Sequence, residues 1–140
     1  MKWVLIVPTF FLYIIKVNHN QKGCFAEYHF ASTAMLNGFK VSIPLLDSSQ
    51  YDCILEKNGK LFKLQVKYLG ADRYKHGKST QISLKRTGTP TYDFKYVDYF
   101  ALWSEEYKGF FIVKNEGQKS LRLSMHNKYK NNFNNFALIS

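Results

Sequence analysis

Apolar and polar positions alternate along "YDCILEKNGKLFKLQVK", residues 51–67, in two runs joined by Asn58-Gly59. Both turn residues tolerate the positive φ of a type I′ turn, so the pattern predicts a β-hairpin. A two-residue turn there sets Asp52 opposite Gln65, with Cβ atoms roughly 5 Å apart. Lys67 lies two residues beyond Gln65 and shares its face. Cys53, Leu55, Phe62, Leu64 and Val66 fall on the opposite face, which reads as core. The Asp52 face also carries Glu56 and Lys63, relieved by Ile54 and Leu61. A one-residue slip would bury these charges, so the register is well specified. That face has two readings at this point: an ordinary solvated strand face, or a set of side chains gathered for chemistry.

The flanking segments are legible in the same way. Residues 20–36 have helical spacing, with Cys24, Phe30, Ala31, Ala34 and Met35 on one stripe, and Asn37-Gly38 supplies a stop. Residues 39–43 predict a short strand limited by Pro44, followed by a loop at 45–50. Residues 70–80, "GADRYKHGKST", form a basic loop; 81–86 alternate again; 87–91 are turn-rich. The apolar runs 97–103 and 110–114 predict a second hairpin across Tyr107-Lys108-Gly109, and 121–123 a short strand. The end, "HNKYKNNFNNFALIS", reads as a loop or arm with a small apolar tail. One helix followed by several strands indicates an α+β or mixed α/β sheet.

The first residues stand apart. Trp3 to Ile15 are thirteen uncharged residues after Lys2. That is shorter than the ~20 of a membrane-spanning helix and has the size of a signal-peptide core. No small-x-small cleavage pattern follows. Residues 1–17 are therefore an apolar extension of open status: export or membrane anchoring, an element packed on the domain, or an upstream extension. The expected division is 1–17, a domain over 18–126 and an Asn/Lys-rich segment over 127–140. The expected location is cytoplasmic or organellar, with membrane association of residues 1–17 left open.

Charge narrows the function. The 140 residues carry a formal net charge of +10. Ten Lys or Arg lie between Lys57 and Lys95, against Asp72 and Asp93 alone. Such a segment suits a polyanion, or serves solubility alone. The candidate contacts are Arg73, Lys75, His76 and Lys78 in the loop, Lys85 and Arg86 on the strand, and Asn131 and Asn132 in the tail. Arg suits guanine edges and Asn adenine edges, while Lys mostly meets phosphate. Cys24 and Cys53 have no CxxC partner, so a zinc set is not indicated and two buried thiols are expected. Neither GxxxxGK[ST] nor GxGxxG is present, and no nucleotide cofactor is expected.

Glu27 falls on the helical stripe. A carboxylate there must be paired, neutral or bound to a cation, or must sit at the stripe's edge and reach water. With Asp52, Gln65 and Lys67 on one hairpin face, an oxygen-rich site for Mg²⁺ becomes a coherent reading. Mg²⁺ binds through one or two carboxylates plus phosphate. A neighbouring Lys stabilises charge on a phosphoryl oxygen or orients an attacking water.

This ordered set resembles the PD-(D/E)xK nuclease superfamily. Its pattern is a helical Glu, an Asp starting the second strand and a (D/E)xK tripeptide on the third; here these are Glu27, Asp52 and Gln65-Val66-Lys67. The likeness runs through "QKGCFAEYHFASTAMLNGFKVSIPLLDSSQYDCILEKNGKLFKLQVK". With "VDYFALW" and "LRLSM...NKYKNN" it resembles one branch, the group I intron-encoded homing endonucleases of cyanobacterial type. Tyr51 stands where the general superfamily has Pro, and Gln65 where it has an acid; the homing branch is similar in both respects. The resemblance implies a restriction-endonuclease-like αβββαβ core, Mg²⁺-dependent hydrolysis of double-stranded DNA (with Mn²⁺ as the other candidate ion) and a homo-oligomer, dimer or tetramer. It implies catalytic roles for Glu27, Asp52, Gln65 and Lys67, and metal binding by Asp52, Glu27 and the Val66 backbone carbonyl. The rival expectations are a Holliday-junction-resolvase-like nuclease and a DNA-binding protein of this fold without cleavage.

Overall fold

The computed structural model describes residues 16–71, 79–85, 88 and 91–140. Helix α1 spans His19–Leu36. Asn18 caps it: its side chain accepts from the Gln21 N–H at 2.9 Å, and the Gln21 side chain accepts from the Asn18 N–H at 2.9 Å. This reciprocal box satisfies two of the donors that a helix start leaves open. The helix stops at Asn37, and Gly38 follows at φ +86° with its N–H bonded to the Met35 carbonyl. The buried stripe is Ala26, Phe30, Ala31 and Ala34. Cys24 and Met35, expected on that stripe, are exposed. At 100° per residue the buried residues span an arc of about 140°, from Ala26 to Ala31, and Cys24 and Met35 lie just beyond its Ala31 edge.

Among the described residues seven strands follow: β1 Lys40–Ser42, β2 Cys53–Lys57, β3 Lys60–Leu69, β4 Ser79–Ser83, β5 Tyr99–Ser104, β6 Gly109–Lys114 and β7 Ser120–Ser124. Five make one mixed sheet in the order β1-β2-β3-β5-β6; β4 and β7 pair separately. The β2–β3 hairpin has the expected register, from Cys53 opposite Leu64 to Lys57 opposite Lys60, around Asn58 and Gly59 at φ +53° and +75°. β3 and β5 run parallel, Leu64 beside Tyr99 through Leu69 beside Ser104. The connection between them carries β4 among its described residues, where the superfamily order has a helix.

The sheet is covered on both faces. On one, Ala26, Phe30 and Ala34 of α1 pack on Cys53, Leu55, Leu64, Val66, Ala101 and Ile112. On the other, Ile82, Leu121 and Leu123 of the β4–β7 pair pack on Leu69, Phe100, Leu102 and Phe111. β5 and β6 are therefore buried on both sides, which explains their unbroken apolar runs. β2 and β3 keep their alternation because their second face is only partly covered.

The C-terminal segment is not a free arm. Two short 3-10 turns, Lys128–Asn132 and Phe136–Leu138, lie against β6. Phe136 and Ile139 enter the helix-side core, and Phe136 stacks on Phe30 at 5.6 Å between ring centres. The Asn134 N–H donates to the Phe110 carbonyl, and the Phe110 N–H to the Asn134 side chain. This covers the outer edge of β6, which would otherwise present unpaired backbone groups.

Candidate functional site

The site begins where β2 begins. The Asp52 N–H bonds to the Leu64 carbonyl at 2.8 Å, so Asp52 sits just ahead of the ladder. In β3 the odd-numbered residues bond toward β5: the Lys63 carbonyl accepts from Asp98 N–H, and the Leu69 carbonyl from Glu105 N–H. Even-numbered residues therefore turn their backbone groups toward β2. At Val66 the β2 ladder has ended, and the Asp52 carboxylate takes its place. Asp52 Oδ2 accepts the Val66 N–H at 2.6 Å and the Gln65 side-chain amide at 2.5 Å. The N–H and C=O of one strand residue point the same way, so the Val66 carbonyl faces this edge too.

Gln65 thus has a role open to few residues. It donates to Asp52, whereas a second ionised acid at that position would repel it. Burial raises the Asp52 carboxyl above its ordinary value of 3.8, opposed by the Val66 N–H, the Lys67 ammonium and the Gln65 amide. Glu27 comes from α1. It is exposed rather than buried on the stripe. Partial burial, then the charges of Asp52 and Asp47, raise it above 4.5. Glu27, Asp47 and Asp52 line one cavity of ≈ 570 Å³, walled by Tyr28, Ile43 and Leu45. Asp47 carried no periodic signal in its loop, and the sequence offered no means of picking it out.

Lys67 lies on the Gln65 face, its ammonium 5.3 Å from the centre of the Tyr92 ring. It lines a different cavity, of ≈ 350 Å³, with Lys22 and Tyr68. Asp52, Gln65 and Val66 are therefore in direct contact, while Glu27 and Lys67 reach Asp52 through charge.

The donor set fits a hard divalent cation. Two mutually repelling carboxylates, both held above their ordinary values, share one cavity, and Asp52 is bonded to the N–H of Val66. Among the described residues no group of three His, Cys, Asp or Glu converges. Such a cation would rest on Asp52 and Glu27, the Val66 carbonyl and the substrate.

The remaining candidates divide. Lys85, expected on the strand, lies two residues beyond the end of β4; it is exposed and lines a concavity of ≈ 550 Å³ with Lys119, a residue the sequence did not single out. Asn131 is exposed. The Asn132 amide donates to the Ile112 carbonyl at 2.7 Å and so ties the C-terminal segment to β6. Arg73, Lys75, His76, Lys78 and Arg86 lie outside the described residues, as does the apolar stretch 1–15. Among the described residues no helix is long and apolar enough to cross a membrane. Of the two thiols expected to be buried, Cys53 is and Cys24 is exposed.

Among the described residues one α-helix packs on a mixed sheet, and an Asp ahead of one strand is bonded to the Gln of a Q-x-K on the next, the arrangement that the PD-(D/E)xK pattern leads one to expect. The sequence matches the family model of PD-(D/E)XK endonucleases over residues 17–138, and the chain belongs to that family. Its fold is similar to the solved structure of a bacterial homing endonuclease, I-Ssp6803I, with a TM-score of 0.70 and 19% identity, covering 89% of this chain and 92% of that one. A search of curated proteins returns no significant match.

Proposed function

We propose that this nuclease cleaves double-stranded DNA at a specific site with a divalent cation, Mg²⁺ in the first place, and serves intron homing. The observation that carries the reading is the Asp52 carboxylate, fixed by the Val66 N–H and the Gln65 amide, with Glu27 across the cavity and Lys67 on the same strand face. A bound divalent cation supplies charge neutralisation at the phosphoryl oxygens and a lowered pKa for attacking water. Asp52 and Glu27 would hold it, with the Val66 carbonyl as a further ligand. Gln65 keeps the Asp52 carboxylate in one orientation, so no reorganisation is needed as charge develops. Lys67 orients the attacking water and stabilises negative charge on the phosphoryl oxygens. The net charge of +10 favours the approach of a polyanion. A small domain reading a long site requires several copies, so the working form is a homo-oligomer.

The test is cleavage of a plasmid carrying the intron-free host locus, by wild type and Lys67→Ala, each with Mg²⁺ and with EDTA. Specific Mg²⁺-dependent cutting that the variant loses while keeping DNA affinity is the expected result. A variant cutting at the wild-type rate removes the role given to Lys67. Failure on the plasmid with cutting of four-way junctions replaces homing with junction resolution.

A further inference from the structure

The cavity that Lys67 lines has features the cleavage chemistry does not use. His19, Lys22, Gly23, Tyr68 and Ser83 share it. Lys22 and Lys67 have no carboxylate within ion-pair distance among the described residues, where the one ion pair joins Lys40 and Glu56. Each ammonium instead lies against a ring: Lys22 is 5.5 Å from the centre of Tyr68 and Lys67 5.3 Å from that of Tyr92. Glu105, the acid whose charge reaches Lys22, is already engaged by the Tyr68 hydroxyl and by the Ala71 N–H at 2.7 Å. Tyr68 is thereby fixed as a platform, and Lys22 is held at the pocket wall over its ring.

Gly23 is the second, independent feature. Glycine inside a helix is unfavourable relative to alanine. A close neighbour would justify it, but among the described residues a Cβ built at Gly23 meets nothing within 4 Å. Packing therefore does not call for glycine here. What a side chain would occupy is open space in the wall of this cavity.

We propose that this cavity is a phosphate subsite: Lys22 contacts a DNA backbone phosphate neighbouring the one at Asp52, and Gly23 leaves the room for it. The assignment rests on the DNA-cleavage reading above, through Lys67, which lines this cavity and whose charge reaches Asp52. Lys22 is a positioning residue.

The experiment uses the full chain in EDTA and reads anisotropy of a labelled linear duplex over a salt series. One lost phosphate contact lowers the slope of log affinity against log salt by about 0.9. Lys22→Gln should therefore weaken binding at low salt, and its further loss between roughly 50 and 200 mM salt should be about threefold smaller than that of wild type, per subunit engaged. Lys22→Arg should retain the wild-type slope. Gly23→Ala should raise the Tm yet weaken DNA binding, a combination that a purely structural glycine would not give. Wild-type affinity and slope in both Lys22→Gln and Gly23→Ala overturn the subsite while leaving the cleavage reading intact. If wild type itself shows no salt-dependent duplex binding, the DNA reading and the DNA subsite fall together. A titration with inorganic phosphate then separates the causes. A Gly23 amide resonance that moves in wild type and not in Lys22→Gln keeps a phosphate site for another ligand; one that does not move in wild type rejects the pocket outright.

Discussion

Replacing Asp52 separates its two physical contributions. Its carboxylate accepts two hydrogen bonds at a partly buried position, and burial makes its charge costly there. Asp52→Asn keeps an oxygen for the Val66 N–H and removes the charge. It also removes the repulsion that Asp52 exerts on Glu27. Asp52→Ala removes the acceptor as well and leaves the Val66 N–H and the Gln65 amide without it. Loss of a partner for a buried donor costs about 1–3 kcal/mol. For a chain of this size that separates the two variants by roughly 3–12 °C in Tm, taking about 3–4 °C per kcal/mol. Thermal unfolding in EDTA at neutral pH, followed by circular dichroism, measures it. The expected order is Asn at or above wild type and Ala clearly below. Neither variant should cut DNA, and neither should gain the stabilisation that wild type gains from Mg²⁺. If Asn and Ala melt together below wild type, the Asp52 charge is itself stabilising, and the strained-carboxylate account of the site is refuted.

Three further outcomes follow from the same geometry. Native Asp52 and Glu27 hold protons more tightly than their unfolded forms, with ordinary values of 3.8 and 4.5, so in EDTA they favour the fold at acid pH and that share is lost as pH rises through their raised native values. Mg²⁺ favours the ionised forms, so its effect on Tm should grow across the same window; a pH-independent Mg²⁺ shift would place the cation elsewhere. Cys24 is exposed, while burial, then the charges of Asp52 and Glu27, push the Cys53 thiol up to about 12. A thiol reagent at mild alkaline pH should label one cysteine in the native chain and two in denaturant, and Cys24→Ser should abolish the native labelling. Phe136→Ala removes a buried ring stacked on Phe30 and should cost about 3–5 kcal/mol, read as a lowered denaturation midpoint. An unchanged midpoint would mean that the C-terminal segment does not pack on the core.

What the sequence determined by itself is the hairpin at the centre of the candidate site. Asn58-Gly59 sets a turn, the turn sets the register, and the two-residue period of a strand puts Asp52, Gln65 and Lys67 on one face. All of this is local geometry, fixed within seventeen residues, and the structure reproduces the register. The helix stop was legible for the same reason, since Asn37 and Gly38 act within a turn of the chain, whereas the cap formed by Asn18 and Gln21 was not picked out. Tertiary structure decided the rest. Cys24 was given to the buried stripe because helical spacing places it beside Ala31 but does not show how far the covered arc extends. Asp47 joins Glu27 and Asp52 only because its loop folds over α1. β4 leaves the main sheet to pair with β7, and the Asn-rich tail closes the edge of β6. Each of these depends on contacts between distant segments, where loop closure and shared burial choose the partner and no short-range pattern in the chain records that choice.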